Sequence, residues 1–204
     1  MAKSVRVLAS LVCAGAVSFL ATPAFANEPA TAGALQWGIG FRYGFELEDG
    51  DFNPWGTGLG AELGYTLPNA VYVGGNFDYF FGEEEELGDA SYQSNIWQLM
   101  AEGGYDIGVA PVFVIRPKLG VGFATINSES CAGTLGCRDD SSTNFALAPG
   151  AKFMFLTENF GLSADLRYDI IFAEEPPECT GTGGCVEGGT ETANALILSI
   201  GIGF

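Results

Sequence analysis

From Leu35 onward the chain alternates between apolar residues and small or polar ones with a period of two, and it does so in eight runs. Successive side chains of a strand point to opposite faces, so each run predicts a strand with one hydrocarbon face. The first sets Leu35, Trp37, Ile39, Phe41, Tyr43 and Phe45 against Gln36, Gly38, Gly40, Arg42 and Gly44. The second sets Trp55, Leu59, Ala61, Leu63 and Tyr65 against glycines and Glu62, and the third Val71, Val73, Phe77, Tyr79 and Phe81 against Tyr72, Asn76 and Asp78. In the fourth, Trp97, Leu99, Ala101, Tyr105 and Ile107 oppose Gln98, Glu102 and Asp106. In the fifth, Phe113, Ile115, Leu119, Val121 and Phe123 oppose Arg116 and Lys118. Phe145, Leu147, Phe153 and Phe155 face away from Lys152 in the sixth, and Leu162, Leu166, Tyr168, Ile170 and Phe172 from Asp165, Arg167 and Asp169 in the seventh. The eighth, from Ala193, carries Leu196, Leu198, Ile200, Ile202 and Phe204 on one parity and Ala195, Ser199, Gly201 and Gly203 on the other.

Every charged residue of these runs falls on the parity opposite the aromatics. A soluble sandwich would turn its charges outward and fill its centre with the aromatic face. A soluble eight-stranded barrel of the lipocalin kind is the rival reading, with the Trp and Phe face inside. The runs are close to the roughly 9 to 11 residues a tilted membrane strand needs. The connections alternate too. Residues 46–54, 82–94, 128–143 and 173–192 are long and polar, whereas Pro68-Asn69, Gly108-Val109-Ala110-Pro111 and Thr157-Glu158-Asn159 are short. Aromatics sit at both ends of the strands: Trp37, Tyr65, Tyr105, Phe113, Phe155 and Phe204 at one rim, Trp55, Phe81, Trp97 and Phe172 at the other. Two aromatic girdles are expected at the two interfaces of a membrane barrel. The predicted class is all-β, an eight-stranded antiparallel up-and-down transmembrane barrel with short turns at one end and four longer loops at the other.

The N-terminus adds a compartment. Lys3 and Arg6 precede a short apolar stretch from Leu8 to Leu20 and an Ala24-Phe25-Ala26 site, the pattern of a secretory signal peptide over residues 1–26. Residues 27–34 form a short N-terminal segment, and 35–204 the barrel domain. The whole sequence is 48% hydrophobic yet has a formal charge of −17, with 30 glycines. Without Lys3 and Arg6, 6 bases face 25 acids, net −19. This sign of charge excludes nucleic acid as a partner.

In strand number, loop alternation, charged inner face and terminal Phe204, the chain resembles the small OmpA/OmpX-type outer-membrane barrels of Gram-negative bacteria. The resemblance implies an outer-membrane location with both termini in the periplasm. It implies lipid and lipopolysaccharide as neighbours, an assembly machinery that reads the last strand through Phe204, and a surface role set by the loops. The chain has no counterpart of the periplasmic peptidoglycan-binding domain of OmpA, so wall anchoring is not carried over.

The lumen-facing charges are Arg42, Arg116, Lys118, Lys152 and Arg167 against Glu62, Asp78, Glu102, Asp106, Asp165 and Asp169, almost neutral in sum. A barrel of this size is just wide enough for its own side chains to fill it. Charges taken from water must be paired, so a salt-bridged, largely closed lumen is expected. The alternative is a small cation-favouring channel, or a pore gated by switching partners.

No histidine is present. That removes Ser-His-Asp and Cys-His nucleophilic systems and the usual zinc sites. No enzyme activity, catalytic residue, cofactor or metal centre is expected. After Cys13, four cysteines remain, as Cys131-Ala-Gly-Thr-Leu-Gly-Cys137 and Cys179-Thr-Gly-Thr-Gly-Gly-Cys185. An even set in an exported chain implies disulfides. Local pairs, Cys131–Cys137 and Cys179–Cys185, are expected; bridges between the two loops would clamp them together instead. Acids crowd the loops at Glu48, Asp49, Asp51, Glu83–Glu86, Asp89, Asp139, Asp140, Glu174, Glu175, Glu178, Glu187 and Glu191. They read as a solvated, repulsive surface. A second reading is capture of divalent cations, which clustered carboxylates suit. The sequence names no extracellular partner.

Overall fold

The computed structural model describes residues 29–47, 55–82, 84–87, 90–132, 136–174, 178–180, 184–186 and 190–203. The expected signal peptide (residues 1–26), Glu48, Asp49, Asp51, Glu83, Asp89, Glu175, Glu187 and Phe204 lie outside these residues, as do the side chains of Cys179 and Cys185.

The described strands are β1 (Leu35–Glu46), β2 (Gly56–Thr66), β3 (Val71–Phe80), β4 (Glu84–Leu87), β5 (Ala90–Tyr105) and β6 (Ile107–Ala110). They continue as β7 (Phe113–Ala132), β8 (Gly136–Leu156), β9 (Gly161–Glu174), β10 (Glu178–Thr180), β11 (Gly184–Val186) and β12 (Thr190–Gly203). Eight of them form staves in the circular order β1-β2-β3-β5-β7-β8-β9-β12, all antiparallel, and the ring closes where β1 pairs with β12 from Gly38↔Gly203 to Glu46↔Ala195. The fold class expected from the alternation is the one observed. Closure leaves the ring of staves itself without an edge, which a sheet exposed to hydrocarbon requires.

The apolar parity faces outward. Leu35, Ile39, Phe41, Leu63, Leu99, Phe123 and Ile200 are all more than half exposed. The opposite parity fills the interior, where glycine and serine alternate with long polar side chains.

Three local expectations are corrected. The described residues of the long connections 82–94 and 128–143 are largely strand rather than loop. β5 begins at Ala90 and pairs Ala90↔Ala132 with β7, while β7 pairs Ala132↔Gly136 with β8. With β4 against β5, a four-stranded sheet β4-β5-β7-β8 rises beyond the barrel at its loop end. The cause is legible afterwards: Ser, Thr and Asn at alternate positions keep an extended backbone without needing burial, and no proline interrupts them. The segment Gly108–Pro111 is not all turn either, because β6 pairs with β7 at Ile107↔Ile115 and Gly108↔Val114 and the reversal tightens to Pro111-Val112. Finally, Trp55 does not join the outer girdle. It is fully buried inside the barrel. Gly56 takes a φ of 50°, which breaks the alternation by one step and swings the indole inward over Gly44, where any Cβ would come within 2.5 Å of Trp55 Cβ.

Candidate functional site: the ion-paired lumen

The inward side chains stack in levels along the barrel. Nearest the turn end, Arg116 on β7 donates from Nε to Asp106 Oδ1 (2.5 Å) and from Nη2 to Asp106 Oδ2 (2.8 Å) and Gln36 Oε1 (2.8 Å). Its guanidinium lies 3.6 Å from the centre of the buried Tyr72 ring. A planar fork that meets a carboxylate bidentately and stacks on an aromatic face is a geometry lysine cannot reproduce. The N-terminal turn closes this level from below: Gly33 N donates to Thr66 O (2.8 Å), and Thr31 Oγ1 donates to Asp106 Oδ2 (2.5 Å).

At mid-height Lys118 on β7 pairs with Glu102 on β5 (2.9 Å) and Asp165 on β9 (2.5 Å). Asn76 adds a donor to Glu102 Oε1 (2.9 Å). Lys152 on β8 pairs with Glu62 on β2, the stave diametrically opposite.

One level on, Asp78 on β3 receives two cations. Arg42 Nε lies 2.9 Å from Oδ1, and Arg167 Nη1, from the opposite stave β9, lies 2.7 Å from Oδ2. Arg167 also pairs with Asp169 (2.6 Å) and donates to Gln98 Oε1 (2.9 Å). Arg42 reaches Asp78 by crossing over Gly60 of the intervening strand. A Cβ at Gly60 would clash with Asp78 Oδ1 and approach Arg42 Nε to 2.6 Å, so only glycine leaves room for this pair.

The five bases and six acids singled out for the lumen therefore all stand in ion pairs. Removing one partner of such a buried pair leaves an uncompensated charge, so the network fixes geometry more than it adds net stability.

Above the charges, at the loop end, the interior turns apolar. Trp55, Phe80, Ile96, Met100, Ile171 and Ile197 cluster with Ala124, Ala146, Ala148 and Ala195, all within a few per cent of fully buried. The Trp55 and Phe80 rings meet edge to face at 5.3 Å, a favoured aromatic geometry. Reading the sequence missed this plug. Its signal was present, since Phe80, Ile96, Ile171 and Ile197 share the parity of Asp78, Gln98, Asp169 and Ser199 and stand at the loop end of their strands.

At the turn end a hollow of about 320 Å³ remains beside the Lys152–Glu62 pair, where Gly161, Ser163 and Gly203 leave the wall bare. Beyond the other end, Cys131 and Cys137 are joined by a disulfide near the tip of the β7–β8 hairpin. The backbones of Cys179 and Cys185 are directly opposed in the β10–β11 ladder.

The model of the outer membrane protein beta-barrel domain matches residues 12–204. Among solved structures, a major outer membrane protein from Thermus thermophilus is 15% identical with a TM-score of 0.58, over 84% of this chain and 99% of that one. Ail, the attachment invasion locus protein of Yersinia pestis, is 18% identical with a TM-score of 0.56, over 85% and 99% of the two chains. Neisserial surface protein A is 15% identical with a TM-score of 0.51, over 83% and 94%. At these identities the likeness is one of fold. No curated protein matches the chain.

Proposed function

Because the chain belongs to the outer membrane protein beta-barrel family, we propose that it is a closed, non-enzymatic barrel whose task is to hold the protruding β4-β5-β7-β8 sheet at the cell surface. In this reading the termini and short turns face the periplasm and the loop end faces outward. The carrying observation is the lumen. Each of the eleven lumen charges named above is engaged, three contacts join opposite staves (Arg167–Asp78, Lys152–Glu62 and Arg116–Gln36), and an apolar plug stands above them. An ion crossing it would have to strip its water against buried hydrocarbon and then break a tie, each unfavourable.

The hollow beside Lys152 and Glu62 supports a second reading, a small cation-favouring channel whose turn-end vestibule is already open. Single-channel recording of the refolded barrel in a planar bilayer separates them. Silence across voltage and pH supports the closed barrel. Discrete cation-selective openings that change when Arg42 or Arg116 is neutralised overturn it in favour of the channel.

Outer-membrane lipid and lipopolysaccharide are the immediate partners in this reading, and the assembly machinery meets the β12 strand. Divalent cations are the small ligands best suited to the acidic loops. Ail has been crystallised with the heparin analogue sucrose octasulfate. A chain of net charge −17 favours no such polyanion, and its surface partners are therefore expected to be neutral or cationic.

A further inference from the structure

The outward face of the protruding sheet changes character row by row above the lipid-facing belt. The belt itself ends in Leu99, Phe123 and Phe145, directly opposed across β5, β7 and β8. The next row is Trp97, Thr125 and Thr143, whose two hydroxyls are hydrogen-bonded at 2.8 Å. Above it stand Asn95, Asn127 and Ser141, again in register. Asn127 Nδ2 donates to Asn95 Oδ1 (2.9 Å), and Ser141 Oγ donates to Asn127 Oδ1 (2.8 Å). The following row is Gln93, Glu129 and Asp139, with the two carboxylates on directly opposed positions.

We infer that the Trp97–Asn95–Asn127–Ser141 face binds the neutral sugars of the glycolipid headgroups surrounding the barrel. The inference rests on the proposed surface orientation and names the partner of that sheet. Three features choose the ligand. The face is continuous with the lipid-facing belt, so whatever covers it is attached to the adjoining lipid. An indole and a tandem of amide and hydroxyl groups match a pyranose, which offers an apolar C–H face and a ring of hydroxyls that both donate and accept. Within the ladder, the Asn95 amide nitrogen and the second Asn127 amide hydrogen are not consumed by the two bonds along it. Charge excludes the neighbouring alternative: Glu129 and Asp139 one row higher repel phosphate or sulfate, and Arg138 lies on the opposite face of its strand. A sheet meant only to stand in water would not need two amides and a hydroxyl linked at one height across three strands.

The test uses the full barrel reconstituted in nanodiscs. Lipopolysaccharide with its core oligosaccharide is compared with lipid A, which lacks those sugars, and binding is read by titration. The paired substitution Asn95→Ala, Asn127→Ala should weaken the core-bearing lipid about tenfold, equivalent to about 1.4 kcal/mol, and leave lipid A unchanged. Equal weakening for both lipids, or none for either, overturns the inference. A second measurement needs no substitution. Neutral core oligosaccharide should protect the wild-type tryptophan emission from aqueous quencher; unaltered quenching at saturating sugar counts against the site. Channel silence and sugar binding are separate readouts. Failure here leaves the closed-barrel reading standing, and ion conduction would overturn that reading alone.

Discussion

Arg167 on β9 meets Asp78 on β3, the stave across the barrel axis, with Nη1 and Oδ2 2.7 Å apart. The same carboxylate holds Arg42 through its other oxygen. Among the described residues Asp78 is thus the one acid that serves two buried guanidinium groups; its loss strands Arg42 and leaves Arg167 with Asp169 alone. Asp78→Ala is expected to cost at least the roughly 3–5 kcal/mol of a broken buried pair. Arg42→Ala should cost less, because Asp78 keeps Arg167. Urea unfolding from lipid vesicles, followed by heat-modifiable gel mobility, orders the two; equal losses would mean that Asp78 does not serve both cations.

The Lys152–Glu62 tie should behave differently when both ends are removed together. Lys152→Met alone leaves Glu62 charged beside the hollow and is expected to destabilise by a few kcal/mol. Adding Glu62→Leu should restore most of that loss, since replacing a whole buried pair by hydrocarbon is often close to neutral. A double-mutant cycle gives the coupling directly. Additive losses in the cycle would show that the pair is not formed in the membrane.

Trp55 closes the loop end against Phe80 and over Gly44. Trp55→Ala should cost about 3–5 kcal/mol through the void it leaves. It should also abolish the near-ultraviolet circular dichroism arising from the Trp55–Phe80 pair. Gly44→Val should be at least as damaging, because its side chain would occupy the indole's place. A mild Gly44→Val would argue that the indole lies elsewhere.

The Cys131–Cys137 bridge stands at the tip of a hairpin outside the barrel. Cys131→Ser with Cys137→Ser is expected to leave barrel mobility and thermal unfolding unchanged. Proteolytic cleavage should then become faster between residues 125 and 143, since an exposed ladder without its covalent tie opens more often. Unaltered proteolysis would show that the strand pairing alone holds the tip.

Thr31 ties the N-terminal turn to Asp106, the partner of Arg116. Thr31→Val removes the donor and keeps the volume. The expected loss is about 1.5–3 kcal/mol, as for a hydrogen bond to a charged group. Thr31→Ser should recover it, and its failure to do so would assign the effect to packing.

The barrel and its inner parity were legible because a period of two, once read, assigns each residue to a face without knowledge of its neighbours. Arg167 and Asp78 are separated by more than half of the barrel's sequence, yet parity alone placed both inside. What parity does not contain is height. Which cation meets which acid depends on strand stagger, and so the pairing of Lys152 with Glu62 rather than with a nearer acid appears only in the fold. Height also hid the plug, since Phe80 and Asp78 have the same parity and opposite chemistry. The Trp55 error has another origin: one left-handed residue, Gly56, shifts the phase of everything before it. The protruding sheet escaped notice because an exposed strand has no hydrophobic face to give it away. Asn95, Asn127 and Ser141 pair as regularly as the barrel strands do.

The β1–β12 seam bears on how such a molecule comes into being. Its two strands are the most distant pair in the chain, so the seam is the last ladder that chain growth makes available. Until it forms, two edges of unpaired amides and carbonyls would face hydrocarbon, where each unsatisfied group costs several kcal/mol. No partly zipped ring is therefore a resting state in the bilayer. Insertion and closure become a single cooperative event, and a slow one, because loop entropy across the whole domain must be lost before the seam's hydrogen bonds return it.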